Sequence, residues 1–228
     1  MVLNKKVIAL NFKTYAQSTG AAGAKLLEAC ELVASKHPNA EVIAAPQIQD
    51  ISLSAILLKA ASLFSQHSDS VKQGAFTGWI APAGLKAAGC AGTILNHSEH
   101  RLDEQKVGET VAACKAAGVR SIVCAENVKE ALLLAKLEPW AVAYEPPELI
   151  GSGVSVSSAK PEIVSEFVAR LHAERPWVLP IVGAGVSNEN DVAKCVELGA
   201  KGVLLASAFI KAPNPAELLE KMAGALGH

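Results

Sequence analysis

Three short stretches of this sequence carry side chains suited to moving protons on a small anion. Asn11-Phe12-Lys13 sets a permanent positive charge two residues after an amide. Asn96-His97-Ser98-Glu99 offers an imidazole, which serves as acid, base or polarising donor near neutral pH. Glu145 stands directly behind the apolar run Ala141–Tyr144. There, loss of water raises a carboxyl pKa toward that of a useful general base. Each stretch taken alone has a plainer explanation: a lysine leaving a buried strand for solvent, a hydrogen-bonded structural histidine, or a glutamate that ends a strand before an ordinary loop.

The residues around these stretches sharpen the chemistry. Pro146-Pro147 stiffens the chain after Glu145, Leu149 and Ile150 are apolar, and Gly151 and Gly153 permit a reversal. Segment Pro146–Gly153 therefore has the layout of a lid with a stiff start and a pliant end. Gly183-Ala184-Gly185 and Ala206-Ser207 are small enough for backbone N–H groups to approach an anion closely. The glycine pair is not a dinucleotide fingerprint, because Asn188 stands where the third glycine belongs. His97 and His100 are spaced i, i+3, but no acid or cysteine set completes a metal shell around them.

Positioning these groups together requires a scaffold. Continuous apolar runs recur at Val7–Asn11, Val42–Ala45, Leu63–Gln66, Gly92–Asn96, Ser121–Cys124, Ala141–Glu145, Val178–Val182 and Gly202–Leu205. Unbroken rather than alternating, they read as strands covered on both faces. Helical stretches such as Ala22–Lys36, Asp103–Ala117 and Lys160–Ala173 separate them, and glycines at 89, 118 and 199 fall between helix and strand. Eight such units predict an α/β fold, a single (βα)8 barrel over residues 1–228, with a doubly wound open sheet as the rival. In a barrel all strand ends meet at one mouth, and the polar residues named above all follow strands.

Composition narrows the function. The 228 residues are half hydrophobic, with a formal net charge of −1, so there is no basic footprint for nucleic acid. The start of the chain is too short and polar for a signal peptide, and no apolar stretch reaches the roughly 20 residues of a membrane span. Five scattered cysteines (30, 90, 114, 124 and 195), odd in number, speak against a disulfide framework and fit a reducing cytoplasm.

Taken in order, Asn11-x-Lys13, Gly74–Gly78, Asn96–Glu99, Glu145-Pro146 with Ile150–Gly153, and Gly183–Gly185 resemble triosephosphate isomerase, in its compact archaeal form. The resemblance spans the chain. It implies interconversion of glyceraldehyde 3-phosphate and dihydroxyacetone phosphate in glycolysis and gluconeogenesis. Glu145 would be the base and His97, held neutral by a helix N-terminus, the electrophile. Lys13 and Asn11 would act on substrate charge and oxygens, Phe12 between them would belong to the same substrate-binding set, and Glu99 would position Lys13. Backbone at Gly151, Gly185 and Ser207 would bind the phosphate, flanked by Ile150 and Ala206. No metal or organic cofactor is implied. The loop after the third strand, from Gln66 to Gly78, would reach into a neighbouring subunit, with a homotetramer favoured over a dimer. Phe12, Pro147-Glu148 and Ala184-Gly185 stand where the commoner pattern has Trp, Val-Trp and Gly-Ser; the second departure bears on the lid's hinge, and the third removes a serine hydroxyl from the phosphate site. An aldolase using Lys13 as a Schiff base, or an inactive barrel kept as a scaffold, would be the alternatives.

Overall fold

The apolar runs pair edge to edge in chain order until the eighth meets the first. The computed structural model describes residues 5–149 and 155–227. Its strands are β1 (Lys6–Asn11), β2 (Ala40–Ala45), β3 (Ser62–Ser65), β4 (Gly92–Leu95), β5 (Arg120–Ala125), β6 (Ala141–Tyr144), β7 (Leu179–Val182) and β8 (Gly202–Leu205). All pairs are parallel and β1 closes on β8, with Val7 opposite Gly202. Closure excludes the open doubly wound sheet.

Around the strands lie α1 (Gly20–Lys36), α2 (Ile51–Leu57), α3 (Pro82–Ala87), α4 (Glu104–Ala117) and α5 (Val128–Ala135). They continue with α6 (Val156–Ala159), α7 (Pro161–Glu174), α8 (Glu189–Glu197), α9 (Ser207–Ile210) and α10 (Pro215–Ala225). The four-residue α6 and α9 belong to the loops after β6 and β8 and have no counterpart in a count of eight units. Helix ends follow local chemistry. The Asp103 carboxylate accepts from the Lys106 N–H, so Asp103 caps α4 rather than opening it. Gly118 closes the same helix with φ 66°, a left-handed conformation that a side chain would strain.

Within the barrel, side chains sort by parity. Val7, Ala9, Ile43, Ala45, Phe64 and Ile94 belong to an inner cluster that continues around β5 to β8. Their neighbours Ile8, Leu10, Val42, Ala44 and Leu63 pack in the shell beneath the helices. Alternation is therefore present although both faces are apolar. Extending the inward set by one step past each strand places Asn11, Gln66, Glu145, Gly183 and Ala206 at the mouth. The polar residues expected to end β3, β4 and β6 leave the ladder for the same reason: they begin the mouth loops.

The opposite end is plugged. The Arg120 guanidinium lies 4.4 Å from the Trp140 ring centroid and 5.1 Å from that of Phe64. It also donates to both carboxylate oxygens of Glu41. Phe64 fits because Gly92 has no side chain; a Cβ there would stand 2.3 Å from the ring. Gly92→Ala is accordingly expected to overpack the barrel floor and to cost about 1–3 kcal/mol, read as a lowered midpoint in urea unfolding.

Candidate active site

Parity brings Glu145 inward, and its neighbours seal it there. Its N–H bonds the Ala125 carbonyl at 2.8 Å just as the chain leaves β6. The side chain is only 4% exposed. Burial pushes its carboxyl up to about 7, opposed by a hydrogen bond from the Cys124 thiol and by the charge of Lys13. Its Oε2 is buried and, among the described residues, has no hydrogen-bond partner. Gly183 leaves room for it: a Cβ there would fall 2.5 Å from Glu145 Cγ and 2.6 Å from Oε1. Burial also pushes the Cys124 thiol well above its ordinary range, which keeps it a donor.

His97 has the wrong parity for a straight strand, since Ile94 points inward. Asn96 corrects this by adopting φ 58°. That left-handed turn is unfavourable for a residue with a side chain but tolerated best by asparagine. Two bonds hold it: Asn96 Nδ2 donates to the Cys124 carbonyl at 3.0 Å, and Oδ1 accepts from the Leu102 N–H at 2.9 Å. The imidazole is then 7% exposed, with Nε2 3.8 Å from Glu145 Oε2. Nδ1 accepts the Glu99 N–H at 3.1 Å. Nδ1 is thereby the unprotonated nitrogen, and the proton of neutral His97 sits on Nε2, facing the carboxylate. Burial, then the positive charge of Lys13, lowers the imidazole to about 4. The resemblance implies a helix N-terminus behind this shift. Here α4 begins only at Glu104, and the donor is a turn closed by the His100 N–H on the His97 carbonyl at 2.8 Å.

Lys13 reaches the same mouth from β1, also with a left-handed backbone, φ 49°. Its N–H donates to Asn11 Oδ1 at 3.0 Å, and its carbonyl accepts from Gln66 Nε2 at 3.0 Å. The ammonium pairs with Glu99 Oε1 at 2.7 Å. Gln66 escapes a motif reading, although its place one step beyond the inward Phe64 marks it as a mouth residue.

Asn11, Lys13, His97 and Glu145 line a cavity of about 330 Å³ together with Gly185, Ala206, Ser207, Tyr15 and Lys211. Asn11, Lys13, His97 and Glu145 are brought together as expected. Glu99 stands behind Lys13, outside this cavity. Phe12 departs from expectation: its side chain is fully buried, its ring tilted against Phe209 with centroids 6.2 Å apart, so it anchors the loop instead of lining the site. Ile150 and Gly151, with the second half of the expected lid, lie outside the described residues. Tyr15, Lys211 and Cys124 are additions, since none sits in a recognisable motif. Among the described residues, no group of three or more His, Cys, Asp or Glu is placed to hold a metal ion. Nor is any helix long and apolar enough to cross a membrane.

A buried carboxyl, a neutral imidazole and an ammonium at the C-terminal mouth of a (βα)8 barrel define a class: barrel enzymes of acid–base chemistry on small anionic substrates. Comparison with known proteins narrows it. The family model for triosephosphate isomerase matches residues 6–222. Triosephosphate isomerase of Methanosarcina barkeri is 43% identical over 215 residues, covering 94% of this chain and 96% of its own. That of Methanothermus fervidus is 40% identical over 220 residues, with 96% and 98% covered. That of Thermoplasma volcanium is 40% identical over 215 residues, with 94% and 98% covered. The chain belongs to the triosephosphate isomerase family, close to its archaeal members.

The raised Glu145 value has a consequence for stability. The folded state keeps a proton that the unfolded chain releases near 4.5, so stability is fully present below that pH and is lost as pH rises through about 7. Glu145→Gln removes this loss. The variant should melt above the parent at pH 8, by at most about 3 kcal/mol, and match it at pH 4, as followed by calorimetry.

Proposed function

We propose that Glu145 and His97 between them carry out the isomerisation of triose phosphates. The activity is that of a triosephosphate isomerase: it interconverts glyceraldehyde 3-phosphate and dihydroxyacetone phosphate, a step of glycolysis and gluconeogenesis. One observation carries the assignment of roles. The buried, unpartnered Oε2 of Glu145 faces the Nε2 side of neutral His97 at 3.8 Å.

In this reading Glu145 Oε2 takes the proton from the carbon beside the carbonyl and returns it to the neighbouring carbon. The two electrons of the broken C–H bond form the enediolate, whose oxygens carry the developing negative charge. His97 Nε2 gives its proton to the former carbonyl oxygen and takes the hydroxyl proton from the neighbouring oxygen, so that hydroxyl and carbonyl exchange places and the imidazole ends neutral. A neutral imidazole matches a weakly acidic enediol better than an imidazolium would, because donor and acceptor then have similar proton affinities. Lys13 offsets the charge, and Asn11 orients both the oxygens and, through its bond to the Lys13 N–H, the loop. Backbone at Gly185 and Ser207 receives the phosphate, beside Ala206; Ile150 and Gly151 join from the lid, which keeps water from the enediolate. Lys13 is engaged as an ammonium with Glu99, whereas an aldolase would need it as the free amine.

The chain is read as one catalytic domain that works as a homo-oligomer in the cytoplasm. The loop after β3 is pinned at its base, where Ile80 N–H donates to Asp69 Oδ2 at 2.7 Å and Asp69 N–H to the Ile80 carbonyl at 2.8 Å. Beyond that base it exposes Phe76 and Trp79. A second cleft, of about 540 Å³, shares Asn11, Lys13 and His97 with the catalytic cavity and offers a partner's loop a seat beside it. At least a dimer follows from this reading, and the archaeal resemblance favours a tetramer. Replacing Phe76 and Trp79 together by Asp should release monomers on sedimentation and lower activity, as the site loses its neighbour.

Coupled assays with glyceraldehyde 3-phosphate test the roles. Glu145→Gln is expected to lower kcat about 10³-fold while the circular dichroism spectrum is unchanged. For the parent, kcat/KM should rise with pH through about 7, as Glu145 ionises. His97→Gln, which keeps a donor, should lose less, about 10- to 100-fold. Lys13→Met should mainly raise KM. An unaltered KM there would remove Lys13 from phosphate and enediolate binding.

A further inference from the structure

The phosphate end of the cavity needs more positive charge than the motif residues supply. A phosphate monoester carries close to two negative charges at neutral pH. Lys13 brings one positive charge, but Glu99 is bound to it at 2.7 Å, so the pair is nearly neutral as seen from the pocket. Among the described residues, the charged side chains lining the cavity apart from Lys13 are Glu145 and Lys211.

Lys211 is suited to the missing role. It follows Ser207 by one helical turn, and its N–H bonds the Ser207 carbonyl at 3.0 Å. Its side chain therefore rises from the loop that carries the expected phosphate contacts. The ammonium lies over the Tyr15 ring, 4.6 Å from the centroid. Tyr15 comes from the loop after β1, the strand paired with β8, so the contact spans the cavity wall between two adjacent loops. Among the described residues no carboxylate is paired with Lys211; Glu217, in the adjoining cleft, is bound to Lys221 at 2.8 Å. An exposed cation–π contact contributes only about 0.5–1 kcal/mol. A dianion competes with it easily.

We propose that Lys211 is a second phosphate-binding cation of this site, stored over Tyr15 and transferred to the phosphate when a triose phosphate enters. The inference rests on the reading that the phosphate sits against Gly185 and Ser207. Lys211 acts on binding and takes no part in proton transfer. Its contribution is confined to substrates and inhibitors that carry the phosphate.

The test compares glyceraldehyde 3-phosphate with unphosphorylated glyceraldehyde, and measures inhibition by inorganic phosphate, in the full-length parent, Lys211→Gln, Lys211→Arg and Ser207→Asp proteins. Lys211→Gln should lower kcat/KM for the phosphorylated substrate about fivefold, the scale of one partly screened cation. That loss should appear chiefly in KM, with phosphate inhibition weakened to match and glyceraldehyde turnover unchanged. Lys211→Arg should restore most of the loss, and added salt should shrink the difference between parent and Lys211→Gln. An equal loss for both substrates, or unchanged inhibition by phosphate, would overturn the proposal. Ser207→Asp separates the two levels, because it puts a carboxylate where the phosphate is placed. If Ser207→Asp weakens phosphate inhibition and Lys211→Gln does not, Lys211 alone loses its role; if Ser207→Asp has no effect, the placement of the phosphate falls as well.

Discussion

A carboxyl group held away from water, with one oxygen left unbonded, is the constraint around which this structure is arranged. Glu145 keeps that state because the elements about it exclude every easy partner. Gly183 gives it space without offering a side chain, Cys124 donates only a weak thiol hydrogen bond, and His97 stops 3.8 Å short. A water molecule or an arginine in the same place would stabilise the anion and make it a poor base. Leaving a buried acceptor unsatisfied costs on the order of 1–3 kcal/mol. The barrel can bear that cost because its floor and shell are filled with well-packed apolar side chains.

Two further departures from easy backbone geometry serve the same mouth. Lys13 and Asn96 both have positive φ without being glycine. Each turns the chain just after a strand, so that Lys13 and His97 meet Glu145 instead of following the strand direction outward. Each is held by side-chain bonds: Gln66 donates to the Lys13 carbonyl, and the Asn96 amide bonds the Cys124 carbonyl and the Leu102 N–H. Strain at a functional site persists where surrounding contacts over-determine it. Gln66, just past β3, and Cys124 in β5 supply two of those contacts from far off in sequence; Leu102, six residues beyond Asn96, supplies the third.

The eight strands were legible because each is an unbroken apolar run bounded by turn residues, and the catalytic motifs were legible because they stand directly after those runs. Strand ends were less so: Gln66, Asn96 and Glu145 leave their ladders, since a polar mouth residue and a ladder residue look alike in a one-dimensional pattern. Phe12 was misplaced for a related reason. Adjacency to Asn11 and Lys13 suggested a shared site, yet parity sends the intervening ring outward to Phe209. Tyr15 and Lys211 could not be found from spacing at all. Their meeting depends on β1 and β8 being neighbours, a fact that exists only once the sheet has closed.

The plug at the far end of the barrel gives the interior a direction. A guanidinium keeps its charge throughout the pH range in which proteins stay folded, and Arg120 has its counter-charge in Glu41 and its stacking partners in Phe64 and Trp140. Despite burial, Arg120 holds the Glu41 carboxyl below its usual range, so the floor's charge pair stays ionised near neutral pH, while the rim carries the protonatable pair Glu145 and His97. The barrel behaves as an insulated well that exchanges protons at one end only. Catalytic groups can be retuned at the rim by changes in loops without disturbing the charge on which the base of the well is built.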